Sequence, residues 1–306
     1  MLIGCAVPVS GPWATPAGQL RIARRAEELG YHSLWTLQRL LNPAGEVEDA
    51  RSRRYHKVGD PLVTLAYLAG LTSRIRLGVA VVNMPFFSPP LLAKQAATLD
   101  QVSGGRLDLG LGLGWMPVEF AASGVPMERR GARAEEFLAA LRALWAQEVA
   151  SYDGEFYRIP PVRMEPKPMQ RPGPPILLGG GAPPALRRAG RLADGWVSSS
   201  TADLSTIGAQ IGIVRDAAAQ AGRDPDALRF VCRGAVRVRP AGRPDRAPLT
   251  GSYEEIGEDF ARLAAEGVTE VFVDLNFDPE LTGPDTDPAA SLDRAEEALE
   301  ALRPAG

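Results

Sequence analysis

Residues 99–115 read LDQVSGGRLDLGLGLGW, and this stretch indicates the fold more clearly than any other part of the chain. The end of an amphipathic helix runs into Gly104 and Gly105, a pair that favours a helix stop. A short apolar strand over 106–111 follows, and glycines continue beyond it to Gly114 and Trp115. We interpret the stretch as one unit of a strand–helix repeat, whose glycine-rich strand exit lets another group approach the backbone.

The same alternation of short apolar runs and amphipathic segments continues along all 306 residues. A parallel sheet whose strands are joined by crossover helices produces this alternation. Eight such units fit a single (β/α)8 TIM-barrel domain over residues 1–306 better than an open, doubly wound sheet. The predicted strands are 2–7, 32–36, 75–82, 106–111, 175–179, 194–199, 229–238 and 270–275, and the predicted helices are 16–29, 61–71, 90–101, 131–147, 184–192, 204–221, 253–266 and 288–302.

Three long connections interrupt the repeat. The segment 37–59 follows the second predicted strand, and because loops at the carboxyl ends of barrel strands build the active site, it is a candidate lid. The segment 148–174 precedes the fifth strand, contains a predicted hairpin over 152–157 and is expected to cover the barrel. Residues 239–251 are rich in proline, glycine and charge, and predict a mobile excursion after the seventh strand.

The composition favours small-molecule chemistry. A net charge of -3 with 23% charged residues gives no reason to expect nucleic acid or a membrane as a partner. The two cysteines, Cys5 and Cys232, have no metal-ligand spacing, so we expect no metal site and a reducing compartment. The chain start lacks the features of a signal peptide and no apolar run reaches membrane-spanning length, so we expect a cytoplasmic protein.

Two glycine clusters are candidate ligand sites. Residues 179–181 are three glycines between a buried strand and a helix that starts with prolines, an arrangement that exposes amides to a phosphate, with a plain flexible connector as the alternative. In 110–114 the spacing is G-x-G-x-G, which is not a dinucleotide fingerprint. For Gly110 and Gly112, relief of crowding is as plausible as a ligand role, whereas Gly114 is better placed to meet a ligand.

The polar and aromatic candidates are few. Only two histidines are present, so a Ser-His-Asp triad or a three-histidine metal site is poorly supported. His56 lies in the candidate lid, where it can touch substrate, and the indoles of Trp13, Trp115 and Trp196 follow strands, where they can wall a planar ligand. Glu119 is an acid close to the predicted mouth, for which capping or an ion pair is the expected role.

Taken together, these motifs resemble the luciferase-like flavin and deazaflavin monooxygenases and oxidoreductases, over at least residues 16–198. Within that family the arrangement looks most like the branch that uses coenzyme F420, a deazaflavin hydride carrier. Besides residues 99–115, the resemblance lies in Ala26–Trp35, Asp60–Leu62, Thr72–Gly78, Pro89–Lys94, Glu119–Phe120, Gly124–Pro126, Arg129–Gly131, Pro166–Pro168, Pro174–Pro175 and Ala193–Trp196.

The resemblance implies a barrel with the ring of the cofactor, F420 or alternatively FMN, in its carboxyl-terminal mouth. It implies a non-proline cis peptide at Ala80-Val81 against the ring, Asn83 near the polar edge of the ring, and a phosphate held by residues 179–182. The cofactor-binding residues implied in this way are Val79, Ala80, Val81, Asn83, Leu113, Gly114, Trp115, Gly179, Gly180, Gly181 and Ala182.

The chain departs from the family at its best-known catalytic positions. Many members have an acidic residue and then a histidine after the strand 2 tryptophan, where this chain has Gln38 and Arg39. Trp115 stands where the F420-dependent sugar-phosphate dehydrogenases have a catalytic glutamate. We therefore assign no catalytic acid or base, and name Gln38, Arg39 and His56 as candidates for orienting substrate. The predicted substrate pocket contains Trp13, Gln38, Arg39, His56 and Trp115.

Three functions remain open on this basis. The first is hydride transfer between F420 and a small organic substrate such as a carbonyl, an alcohol or an activated alkene. The second is an FMN-dependent two-component monooxygenase, and the third is a non-catalytic barrel that only binds a ligand. The resemblance also implies a homodimer.

Overall fold

The computed structural model describes residues 1–44, 55 and 57–304. Its strands are short, and most of their residues are buried. They are β1 (Leu2–Ala6), β2 (Ser33–Thr36), β3 (Arg76–Asn83), β4 (Leu107–Gly112), β5 (Ala150–Asp153), β6 (Arg158–Val162), β7 (Ile176–Gly179), β8 (Gly195–Val197), β9 (Arg229–Ala235), β10 (Arg237–Val238), β11 (Thr250–Gly251) and β12 (Glu270–Asp274).

Most helices begin at a proline, a position where the missing N–H costs no hydrogen bond and the fixed φ suits the first turn. Before most of these helices a side chain caps the free amides, as Asp60 does for Leu62 and Val63. The α-helices are α1 (Pro16–Glu28), α2 (Pro61–Ala69), α3 (Pro89–Val102), α4 (Pro117–Ala122), α5 (Arg130–Ala146), α6 (Pro183–Leu192), α7 (Ile207–Gln220), α8 (Tyr253–Ala265), α9 (Pro279–Thr282) and α10 (Pro288–Ala301).

Eight of the strands close into a parallel barrel. Around the barrel the order is β1, β2, β3, β4, β7, β8, β9 and β12, and β12 pairs with β1. The predicted (β/α)8 barrel and its eight strands are therefore confirmed, with shifts at the strand ends. No helix among the described residues is long and apolar enough to cross a membrane.

The amino-terminal end of the barrel is filled by buried charges. Asp108 accepts hydrogen bonds from Arg76 (2.9 and 2.7 Å) and from Arg229 (2.7 and 3.2 Å), and Arg229 also donates to Glu270 (2.8 Å). Burial raises the pKa of Asp108, but the two arginines outweigh it and hold that pKa below its usual range. Above this layer Trp35 stacks on Phe272, with ring centroids 5.0 Å apart. The barrel interior is thus closed below and open only at its carboxyl-terminal end.

The long connections differ in part from their predictions. The hairpin before β7 is present, and 152–157 covers the end of β5 and the turn that leads to β6. Residues 239–251 do not project freely, because Arg239 pairs with Asp278, Arg246 pairs with Asp259, and Leu249 is buried. These ion pairs and the buried Leu249 side chain fix the segment against the rest of the protein. The strands at its two ends, β10 and β11, also pair with each other.

Candidate active site

A cavity of about 340 Å³ opens at the carboxyl ends of the barrel strands, a size within the range of small-molecule sites. Most of the predicted site residues line it. From the predicted cofactor set these are Ala80, Val81, Asn83, Leu113, Gly114, Trp115, Gly179, Gly180, Gly181 and Ala182, and from the predicted substrate set Gln38, Arg39 and Trp115. His56 lies outside the described residues.

Two predicted residues do not belong to the cavity. The Trp13 ring is buried in the core between barrel and helices, and its indole N–H donates to the carbonyl of Ser10 (2.7 Å), so it does not wall the site. Val79 is buried in the same core, because alternate side chains of a strand point to opposite faces and that of Ala80 takes the inner one. Trp196 is buried too, but its indole N–H donates to the Gly180 carbonyl (2.8 Å) and supports the glycine loop.

One wall of the cavity is a bulge at the end of β3. The register of β3 against β4 shifts between Val79 and Val82, and the Ala80-Val81 peptide is cis, as the resemblance implied. A side chain on Gly110 would overlap the Val79 carbonyl oxygen, and one on Gly112 would overlap the Val81 side chain. Gly110 therefore relieves crowding behind the bulge, whereas Gly112 keeps space in the cavity itself.

Two amide side chains join three neighbouring strand exits. The Gln38 Oε1 accepts the backbone N–H of Asn83 (2.8 Å), and the Asn83 Oδ1 accepts the backbone N–H of Gly114 (3.0 Å). Gly114 has a φ of +71°, a conformation that a larger residue rarely adopts. The exits of β2, β3 and β4 are thus fixed relative to one another around the same wall.

The opposite wall offers backbone donors to an anion. Gly180 has a φ of +120°, and the loop it opens leads into α6 through Ala182, which has no side-chain cap. Within the described ranges, the N–H groups of Gly181 and Ala182 find no acceptor. Unpaired amides at a helix start attract anions, so this is the predicted phosphate loop in a geometry that suits it. Arg188, one turn into α6, instead pairs with Glu135 (3.2 Å).

The prediction missed a buried cation at the cavity floor. Arg233 on β9 is 8% exposed and donates from Nε to the Asp274 Oδ2 (2.7 Å) and from one terminal nitrogen to the Ala80 carbonyl (3.3 Å). The guanidinium also lies over the Phe277 ring, 4.8 Å from its centroid. A charged residue directly after the buried run Phe230–Cys232 is the signal that could have revealed it.

At the mouth, Arg39 is enclosed by Tyr55 of its own loop and by Trp115 and Glu119, which follow β4. Its guanidinium carbon lies 4.6 Å from the ring centroid of Tyr55 and 4.8 Å from that of Trp115. One terminal nitrogen is 3.0 Å from the Oε2 of Glu119, which is 1% exposed. The other oxygen of Glu119 accepts the backbone N–H groups of Leu40 (2.7 Å) and Leu41 (3.2 Å). The expectation of an ion pair at Glu119 is therefore confirmed.

Comparison with known proteins shows to which family the chain belongs. The model of the luciferase-like monooxygenase family matches residues 4–247. This chain belongs to the luciferase-like monooxygenase family. A Mycobacterium tuberculosis relative, the uncharacterised protein Rv0953c, is 38% identical over 219 residues, which are 71% of this chain and 70% of the relative.

Proteins and structures that resemble this chain carry different cofactors in their names, FMNH2 in one and F420 in another. The FMNH2-dependent dimethylsulfone monooxygenase of Pseudomonas putida is 38% identical over 191 residues, 61% of this chain and 51% of that protein. The structure of monooxygenase RslO1 from Streptomyces bottropensis has a TM-score of 0.79 at 26% identity, over 99% of this chain and 98% of that one. The coenzyme F420-dependent tetrahydromethanopterin reductase of Methanopyrus kandleri has a TM-score of 0.76 at 17% identity, over 99% and 97%, and shows the shared fold alone.

Proposed function

We propose that this luciferase-like protein is an oxidoreductase that binds F420 in the cavity and exchanges hydride with a small organic substrate. The observation that carries the proposal is the pairing of a flat, glycine-cleared wall with an open anion-accepting loop. Gly112 and Gly179 both face the Val81 side chain, and neither places a Cβ in the cavity. A planar ring can therefore lie against the bulge while its phosphate meets Gly181 and Ala182.

The residues present fit such a cofactor. The ring would lie among Ala80, Val81 and Gly112, and its polar edge would reach the amide side chain of Asn83. When bound, the deazaflavin supplies the hydride chemistry, and the protein supplies binding and orientation. Gln38 holds Asn83 in place through its backbone N–H, and Trp115 narrows the mouth on the substrate side.

The exposed end of the cavity favours F420 over FMN. The phosphate of F420 is a diester that continues into an acidic tail, whereas the phosphate of FMN ends the molecule. Gly180, Gly181 and Ala182 are exposed, so a chain can continue past them into solvent. Arg130 also lines the cavity, at the start of α5, and its neighbour Gly131 abuts Arg188 of α6. An acidic tail would meet the positive charge of Arg130 there.

A second candidate is an FMN-dependent two-component monooxygenase. It is favoured by the 38% identity to a protein named as FMNH2-dependent and by the 26% identity to the monooxygenase RslO1. The same wall and loop would hold FMN, and the same barrel serves both chemistries. The two candidates differ in which cofactor the purified protein retains or binds.

Parallel titrations with F420 and FMN separate the candidates. Fluorescence of each cofactor is followed as protein is added, and we expect saturable F420 binding at micromolar concentration with weaker FMN binding. Tight FMN binding without F420 binding overturns the first proposal in favour of the second. If neither cofactor binds, the non-catalytic barrel becomes the better description. The homodimer and the cytoplasmic location stay predictions, the first open to sedimentation analysis.

A further inference from the structure

We infer that the mouth of the cavity recognises a neutral group with a hydrogen-bond acceptor, such as a carbonyl, amide or sulfone oxygen, through an arginine whose charge is already balanced. The arginine is Arg39, and Glu119 is the positioning residue that balances it. The inference adds a substrate class to the proposed function, and it rests on that proposal in one respect, that this cavity is the substrate site.

The surroundings of Arg39 leave it little freedom. Its guanidinium carbon lies over the rings of both Tyr55 and Trp115, and its N–H groups remain for hydrogen bonds. The side chain is 5% exposed, and within the described part of the chain its Nε has no hydrogen-bond partner. A buried N–H without an acceptor is costly, so an acceptor brought by a ligand would be stabilised there once the edge opens to it.

The ion pair itself is incomplete. The Glu119 Oε2 is 3.0 Å from Arg39 but makes no aligned hydrogen bond, while Oε1 is engaged by the Leu40 and Leu41 amides. In a bidentate pair, both oxygens of the carboxylate would accept hydrogen bonds from the guanidinium. Because the Leu40 and Leu41 amides hold Glu119, its negative charge stays beside Arg39 when a ligand binds.

The charge balance decides the ligand class. Among the residues that the structure describes, the buried pair of Arg39 and Glu119 sums to zero charge, so an added carboxylate or sulfonate would bring an uncompensated charge out of water. A neutral acceptor brings none and still satisfies the free N–H. The planar faces of Tyr55 and Trp115 further favour a flat group beside the guanidinium.

Trp115 makes this testable by fluorescence. It is 37% exposed, whereas Trp13, Trp35, Trp145 and Trp196 are each at most 2% exposed. Collisional quenching of tryptophan emission therefore reports mainly on the mouth. Iodide is an anion, so a positive charge near Trp115 raises its quenching constant, whereas the quenching constant of neutral acrylamide does not depend on charge. At constant ionic strength, the ratio of the iodide constant to the acrylamide constant therefore measures the charge balance at Arg39.

The experiment uses the full chain without cofactor, and compares the wild type with Glu119→Gln. The variant keeps an oxygen for the Leu40 and Leu41 amides and loses the negative charge. We expect the iodide-to-acrylamide ratio to rise by about twofold or more. The matched control is Glu135→Gln, which removes the same charge from the Arg188 pair outside the cavity lining and should leave the ratio unchanged.

A pair of flat probes tests recognition directly. Benzamide and benzoate have nearly the same shape and differ in charge, and their binding is followed by Trp115 emission. We expect the wild type to bind benzamide more tightly, and Glu119→Gln to shift the preference toward benzoate by about tenfold or more. A wild type that prefers benzoate, binds neither probe, or keeps its preference in the variant overturns the inference.

A second variant covers the case in which Glu119→Gln does not fold, as judged by circular dichroism. Arg39→Lys keeps the charge but loses the planar fork, so the quenching ratio should stay at the wild-type value while benzamide affinity falls several-fold. Unchanged benzamide affinity overturns the inference. Titration of the wild type with F420 and FMN separates a failure of this inference from a failure of the proposed function. If the wild type binds neither cofactor, the proposed function is refuted, whereas the quenching ratio and the benzamide preference still test the role of Arg39.

Discussion

Replacing Asp108 by Asn should destabilise the barrel without touching the cavity. The Asp108 side chain is fully buried and accepts four hydrogen bonds from Arg76 and Arg229, whose side chains are 24% and 25% exposed. Removing one partner of a buried ion pair costs about 3–5 kcal/mol. The partial exposure of both arginines, and the second partner of Arg229 at Glu270, lower this to about 2–3 kcal/mol.

Urea denaturation followed by circular dichroism measures this loss. We expect a lower midpoint with an unchanged slope, and a melting temperature lower by about 3–5 °C for a domain of this size. Asp226→Asn is the matched control, since Asp226 pairs with Arg215 at 81% exposure and its loss should cost less than about 1 kcal/mol. If Asp108→Asn lowers the free energy of unfolding no more than Asp226→Asn does, the buried charges at the amino-terminal end of the barrel are not a stabilising network.

The stability difference between the wild type and Asp108→Asn should also depend on pH. The pKa of Asp108 is lower in the folded protein than in the unfolded chain, so its contribution to stability is complete above the unfolded pKa, about 3.9. The contribution is lost as pH falls through the lower, folded value. The gap in stability between wild type and Asp108→Asn should thus be constant near neutral pH and shrink in acid below about pH 4. A gap that grows in acid contradicts this sign.

Other substitutions test the cavity walls. Gly112→Ala should lower cofactor affinity by about tenfold or more, because the added methyl displaces Val81; fluorescence titration measures it. Gly181→Asp should weaken cofactor binding by a similar factor through repulsion of the phosphate, while Gly181→Ala, whose Cβ has open space with Gln210 3.8 Å away, should bind as the wild type does. Arg233→Met should leave the buried Asp274 side chain, within the described residues, with Asn276 as its partner, and should lower the unfolding free energy by about 3 kcal/mol, measured in urea.

The barrel and most of the cavity lining could be predicted because they depend on local signals. Alternating apolar runs fix which segments become strands, and glycines at the exits of β4 and β7 mark where backbone is exposed. The errors at Trp13 and Val79 have another origin. Both lie near strand exits, yet the side a residue faces depends on the path of the chain and on strand register, which nearby sequence does not specify.

The partners of charged residues could not be predicted at all. Arg39 meets Glu119 and Arg233 meets Asp274 across long stretches of chain, and each pairing exists only after the barrel has closed. Before folding, Arg233 and Arg39 are two of many arginines in a chain where arginine carries nearly all the positive charge. Their roles therefore depend on topology rather than on local pattern.

The two ends of the barrel use the same kind of pair in opposite ways. At the base, both oxygens of Asp108 are hydrogen-bonded to two guanidinium groups, and such a satisfied network stabilises one arrangement. At the mouth, within the described part of the chain, Arg39 and Glu119 each keep one buried polar atom without an aligned hydrogen-bond partner. Unsatisfied groups cost stability wherever they are buried, so their concentration around one cavity indicates that a ligand completes them. That contrast is the physical reason for which we propose the substrate site at the mouth rather than at the base.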